Sequence, residues 1–248
     1  MEELLKLRNN LNKVFAIHYS CESFNENVNP RIFSIAIRNI ESGEELDFCI
    51  PTYANKDKVN ITENCDELEK ELLNDFLLFM EKHSTSTFIH WNMRDSKFGF
   101  QAIFNRLKIL QNNHIEMPKF NKIDLAKLLV ENFGDSQIPH GEKGRLFELA
   151  TLNNITTKDF LSGEEEAEAI RCQNYTKARN STLRKTTCIA DIFTKTIRKE
   201  LKTKKESWIY QKIKKYSPLA IAVASVVTFL EKTLNIFEKF YSFVKKFF

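Results

Sequence analysis

The chain has 248 residues, 42% hydrophobic and 28% charged, a balance that excludes a disordered polypeptide and allows one substantial core plus an appendage. Phenylalanine is abundant at 21, while glycine and proline number only 6 and 5, so long regular elements with few tight loops are expected. The five cysteines are odd in number and form no CxxC pair, which argues for reduced thiols in a cytosolic protein and against a zinc site.

The net charge of +4 hides an asymmetry. Residues 195–248 carry thirteen Lys/Arg against four Asp/Glu, a balance of +9, and the preceding residues carry twenty-four against twenty-nine, a balance of −5. Nucleic-acid modules usually present a basic face, so the sign of the body counts modestly against tight binding of a polyanion there. The N-terminus lacks a basic start followed by an apolar run, and no signal peptide is expected.

In chain order, the spacing predicts a short amphipathic helix over 3–11, then strands over 14–19, 31–39 and 46–50, the last two joined by the turn Glu41-Ser42-Gly43-Glu44. Leu68, Leu72, Phe76 and Phe79 place a helix over 66–81, with Asn64 or Asp66 as its cap. A fourth strand over 88–90 leads into TFIHWNMRDSKFGFQAIFNR, where Phe98, Ala102, Ile103 and Leu107 predict a helix over 97–110. Asp95 then stands at a strand-to-helix corner. Open α/β sheets usually bind ligands in that crevice, although an Asp there also serves as an ordinary helix cap. Further helices are expected over 125–133, 145–153 and 175–201, with a loop at IPHGEKG. The acidic stretch 156–168, containing Glu164-Glu165-Glu166, reads as a solvated insertion or the first turns of a helix. Three adjacent glutamates do not face one another and are a poor metal site.

This order of elements resembles the ribonuclease H-like fold of DEDD-type (DnaQ-like) 3′ to 5′ exonucleases over roughly residues 14–193. The fold class expected is therefore α/β, a ribonuclease H-like mixed sheet flanked by helices, with a basic, hydrophobic helical tail. Two domains are expected, 1–201 and 202–248. The family's first strand carries Asp-x-Glu; in HYSCESF, Glu22 matches and Ser20 stands where the aspartate should be. HWNMRD is similar to the second family motif, His-Asn-x-x-Phe-Asp, which puts Asp95 on the metal-binding aspartate. IDLAKLL and LFELATLNNI are similar to the stretches that follow in the family. The third motif, His-x-x-x-x-Asp, falls in NSTLRKT, so Asn180 takes the place of the general-base histidine and Lys185 that of the last aspartate.

What the resemblance implies is two-metal phosphodiester cleavage, with magnesium or manganese held by hard oxygen ligands. Here only Glu22 and Asp95 remain to hold such an ion weakly, and Lys185 would compete for the same pocket or satisfy the two carboxylates as a salt bridge. Trp91, Asn92, Arg94 and Lys185 are the candidate ligand-binding residues around that crevice. His90 reads as a base or, more simply, as a histidine paired inside a structured corner, and His18 as a packing residue. Arg94, Arg184 and Lys185 are also candidates to receive a phosphate together.

The tail combines a basic, aromatic flank at 202–216, including Trp208 and Tyr210, with the charge-free run PLAIAVASVVTFL. That run is shorter than the ~20 residues a bilayer span needs. Beyond it, Glu231, Asn235, Glu238, Ser242 and Lys245 recur at helical steps, leaving Leu234, Phe237, Phe240, Tyr241, Val244 and Phe248 on the other face. Such a helix suits an anionic membrane interface, a pore of several copies or a homo-oligomeric seam. Three functions are thus in play: a catalytically impaired nucleic-acid or nucleotide sensor, an active metal-dependent exonuclease or oligonucleotidase, and an oligomeric interaction protein with a vestigial crevice. The first would be cytoplasmic and membrane-associated through 202–248, a pairing that suits a bacterial defence or toxin-like effector.

Overall fold

Strand β1 (Val14–Cys21) is buried along its whole length, because both faces of the sheet it belongs to are covered. Phe15, Ile17, Tyr19 and Cys21 point into one apolar cluster, and Val14 and Ala16 into another, as alternation along a strand requires. The computed structural model describes residues 2–23, 29–94, 98–113 and 115–204. Among them, β1 is the centre of a five-stranded sheet with β2 (Ile32–Asn39), β3 (Glu45–Cys49), β4 (Thr87–His90) and β5 (Asn121–Asp124), in the order β3-β2-β1-β4-β5. The β3-β2-β1 half is antiparallel, with Ile17 opposite Ile37 and Ser20 opposite Ser34; the register shifts between Ser20 and Cys21. The β1-β4-β5 half is parallel, placing Ala16 beside Ile89 and His90 beside Asp124. The mixed sheet expected from the sequence is therefore present.

The helices are α1 (Glu2–Lys6), α2 (Ile50–Asp57), α3 (Ile61–Lys82), α4 (Phe100–Gln111), α5 (Leu125–Phe133), α6 (Gly144–Leu152), α7 (Gly163–Arg171) and α8 (Tyr175–Arg198). Helix α3 lays Leu68, Leu72, Phe76 and Met80 in one buried row, together with Phe100, Phe104 and Leu107 of α4. Each such fully buried side chain is worth about 1.5–3 kcal/mol relative to exposure. On the other face α5, α6 and the C-terminal half of α8 supply Leu125, Leu129, Leu149, Ile189, Ile192 and Phe193. The first half of α8 is different: its buried positions include Ser181, Thr182, Lys185 and Thr186. Polar groups buried over the end of the sheet must find partners there.

Several boundaries differ from those expected. Helix α3 starts at Ile61, where the Asn60 side chain accepts from the Thr62 N–H at 2.8 Å, so neither Asn64 nor Asp66 is the cap. The third strand stops at Cys49, and Ile50 opens α2 with proline in its first turn, a position proline suits. The opening helix ends at Lys6 and gives way to short 3-10 turns. Helix α4 begins at Phe100 rather than 97, because Arg94 and Gly99 pair as an isolated antiparallel bridge. The strand-to-helix corner expected at Asp95 falls on residues 95–97, outside the described residues. The final helix closes at Arg198, after which Lys199 turns left-handed at φ 61°. Residues 1–203 form one compact unit. The expected tail helix beyond residue 204 lies outside the described residues.

Candidate functional site

The C-terminal end of β1 opens on a cavity of about 1290 Å³. Its walls come from β1, the start of β2, the first turn of α3, the acidic helix α7 and the N-terminal half of α8. Period-two alternation puts His18 and Ser20 on the face of β1 that α8 covers, and the strand's last residues carry Glu22 to the cavity mouth.

Most of the polar groups on this floor are already engaged. Ser20 is 2% exposed, and its hydroxyl lies 2.9 Å from that of Thr182. The Glu22 carboxylate accepts from Arg31 Nη1 at 2.8 Å and from the Arg31 backbone N–H at 3.4 Å. Arg31 also donates to Asp66 at 2.7 Å and lies 3.7 Å from the buried Glu69. Lys185 Nζ is 2.7 Å from Glu166 Oε2, both side chains less than a tenth exposed. The Ser181 hydroxyl donates to the other oxygen of Glu166 at 2.6 Å, and the Lys185 ammonium stands 5.3 Å from the Phe160 ring centroid. Burial pushes the Glu166 carboxyl above its ordinary range, against the pull of Lys185 and the hydroxyl of Ser181. His18 is buried, and its Nδ1 has no hydrogen-bond partner. Desolvation first, and the Lys185 charge second, hold its pKa well below the usual 6.5, so its ring is neutral at pH 7.

The second group of expected residues is elsewhere. Asp95 lies outside the described residues. Trp91 is buried in the α5–α8 face of the core. Asn92 adopts φ 57° and donates its backbone N–H to Asp124 Oδ1 at 3.2 Å. Arg94 donates to the Asn92 side-chain oxygen Oδ1 at 3.0 Å and approaches Asp124 at 3.5 Å. His90 accepts from the Met93 N–H at 3.2 Å, and burial pushes its pKa down to about 4 despite the Asp124 carboxylate. The structure thus joins Ser20, Glu22 and Lys185 in one cavity, while Trp91, Asn92 and Arg94 gather near Asp124 at the end of β5 and do not line it. Asn180 is half-buried on α8 and does not line it either. Arg184 donates to the Lys158 carbonyl at 2.9 Å, so Arg94, Arg184 and Lys185 each serve a different partner.

Glu166 is the residue missed. The stretch 156–168, expected as a solvated insertion or first helical turns, does start a helix at Gly163, with a capping box between Ser162 and Glu165. Glu166 nevertheless points inward with Ala169 and Ile170. The salt bridge expected between Lys185 and Glu22 is corrected accordingly: Glu166 is the partner of Lys185, and Glu22 is held by Arg31, while the Asp95 half of that expectation lies outside the described residues. Two divalent ions about 4 Å apart need several converging hard oxygens. Among the described residues no group of three or more His, Cys, Asp and Glu side chains is placed to hold a metal ion, and an ammonium occupies the floor. That donor set does not fit a pair of magnesium or manganese ions.

Residues 2–157 match the DNA polymerase family B, exonuclease domain. The chain belongs to this exonuclease family. It is a DEDD-type family of ribonuclease H-like fold, and the mixed sheet agrees with it. No curated protein matches the chain. The exonuclease-domain match carries Ser20, Glu22 and the HWNMRD segment and stops short of α7 and α8. Glu166, Ser181 and Lys185 therefore belong to the part of this exonuclease-like protein that lies beyond the match.

Proposed function

We propose that the chain is an exonuclease-like, nucleic-acid-binding protein that engages a strand end at the β1 cavity without two-metal cleavage. Membership of the exonuclease family supports nucleic acid as the ligand class. The observation that carries the loss of turnover is the buried Lys185–Glu166 pair. The ammonium offers donors where a divalent ion needs oxygen ligands, and it holds the Glu166 carboxylate that could otherwise supply one. Ser20 offers a hydroxyl in place of a carboxylate, and the Glu22 charge is spent on Arg31. Fluorescence anisotropy with labelled single strands is expected to report binding, and incubation of the same strands with manganese to leave their length unchanged. Shortening that disappears in Asp95→Ala would establish an active exonuclease instead.

For residues 202–248, the alternation of basic, aromatic and apolar residues supports a segment that seeks an anionic membrane interface. Among the described residues no helix is long and apolar enough to cross a membrane. Flotation with anionic liposomes is expected to recover the full chain and to lose a chain stopped at Tyr216. Equal recovery of both in the liposome-free fraction, with a concentration-dependent mass that collapses on truncation, would point to an oligomer seam instead.

A further inference from the structure

The charge and the rings of the β1 cavity specify what it accepts. Among the described residues, five glutamates line it, Glu22, Glu164, Glu165, Glu166 and Glu168, against three cations. Each cation is already committed: Arg31 to Glu22 and Asp66 at 2.8 and 2.7 Å, Arg171 to Glu168 at 2.5 Å and Lys185 to Glu166 at 2.7 Å. A phosphate entering this space meets a surplus of carboxylates, and the described donor set does not fit the paired metal ions that would offset its charge. Phosphate recognition elsewhere relies on guanidinium or ammonium groups left to donate; here Lys185 is paired in a buried setting, Arg31 in a half-buried one, and Arg171, 64% exposed, pairs with Glu168.

The same cavity is well furnished for a flat, uncharged ligand. The half-buried Phe98 ring stacks on buried Tyr19 at 4.6 Å and 22°, and half-buried Tyr175 on Phe33 at 5.2 Å and 25°. Rings backed in this way are rigid platforms, and base–aromatic stacking is worth about 1–3 kcal/mol per base. Beside the first platform, with ring centroids 6.1 Å from Phe98, lies His18. It is 7% exposed, and its Nδ1, like Arg31 Nε, is a buried side-chain polar atom of the cavity lining with no hydrogen-bond partner. A buried polar atom left without a partner is costly, and a ligand that brings the complementary group removes that cost.

Resting on the nucleic-acid reading above, we propose that the cavity takes an uncharged nucleoside, its base against Phe98 and its polar edge at His18 Nδ1, and disfavours the same nucleoside carrying phosphates. A strand would then be read by its terminal base, with its phosphates kept outside. The seat needs no metal ion, so binding proceeds in the presence of chelator.

The test is calorimetric titration of the full chain, in chelator, with adenosine, guanosine, cytidine and thymidine and with their 5′-monophosphates and 5′-triphosphates. The tightest nucleoside is expected to bind about tenfold or more tightly than its own nucleotides, and His18→Phe, which keeps the ring volume, to weaken it about tenfold. Phe98→Ala, on the half-buried platform, carries the same test if His18→Phe does not fold. Nucleotides binding as tightly as nucleosides, or no nucleoside binding at millimolar concentration, would overturn the proposal. Labelled strands that bind while nucleosides do not would refute this inference and leave the strand-binding function standing; the reverse pattern would refute strand binding and support the nucleoside seat.

Discussion

Two carboxylates of the body, Glu69 and Glu166, are buried, and they are held in different ways. Glu69 of α3 accepts from the Ile32 N–H at 2.7 Å and from Arg106 at 2.9 and 2.7 Å, with Arg31 a further 3.7 Å away. Glu166 of α7 relies on one ammonium and one hydroxyl. The first is a redundant network in which two guanidinium groups share a charge that α3 and α4 bring together. The second is a single pair at the floor of the cavity, and burial raises the carboxyl above its ordinary range in both. Redundancy makes a structural anchor, whereas dependence on one cation makes Lys185 the residue whose loss the fold tolerates least.

That difference can be broken by substitution. Lys185→Ala strands a buried glutamate and is expected to cost about 3–5 kcal/mol in urea unfolding; replacing both Lys185 and Glu166 by leucine should cost much less, since an apolar pair of similar volume is often neutral. Arg106→Ala, with Arg31 still close to Glu69, is expected to cost less than Lys185→Ala, about 2–3 kcal/mol. A loss for Arg106→Ala equal to that for Lys185→Ala would erase the contrast between network and pair.

A third prediction concerns pH. The His90 ring has its pKa pushed down to about 4 in the fold, from the ordinary 6.5, so between those values the unfolded chain binds the extra proton. Its contribution is fully present above pH 6.5 and is lost as pH falls towards 4, by about 3 kcal/mol in all. Urea midpoints measured between pH 7 and 4.5 should fall, and His90→Asn should flatten the slope; an unchanged slope would remove His90 as its source. The smallest effect is expected at the cavity mouth. Arg31 and Glu22 are 27% and 32% exposed, so Glu22→Gln should cost no more than about 1 kcal/mol. A larger loss would mean that the mouth, too, is a structural anchor.

Much of the sheet was legible because its strands obey a period of two and α3 a period near four. The four-residue spacing of Leu68, Leu72 and Phe76 announces their buried row. Strand β5 escaped notice: in Asn121–Asp124 only Ile123 is buried, and its identity as a strand comes from pairing with β4. Helix α2 was hidden because apolar Cys49 and Ile50 continue the strand's composition while the chain has already turned helical. The site was half legible. Ser20, Glu22 and Lys185 line one cavity, since the central strand and the last helix cross at one place. Glu166 could not be read from its neighbours, because its partner is nineteen positions away on another helix and the surrounding glutamates look solvated. Trp91 and Arg94 were placed at the crevice by the resemblance of HWNMRD, whereas Trp91 packs in the core and Arg94 turns to Asn92 and Asp124.

On the function proposed, the ammonium of Lys185 fills the seat a metal pair would need on the cavity floor. Manganese titrated calorimetrically into the intact chain measures this directly. The account predicts no saturable heat into the millimolar range. Saturable binding of manganese that is abolished by Asp95→Ala would contradict it.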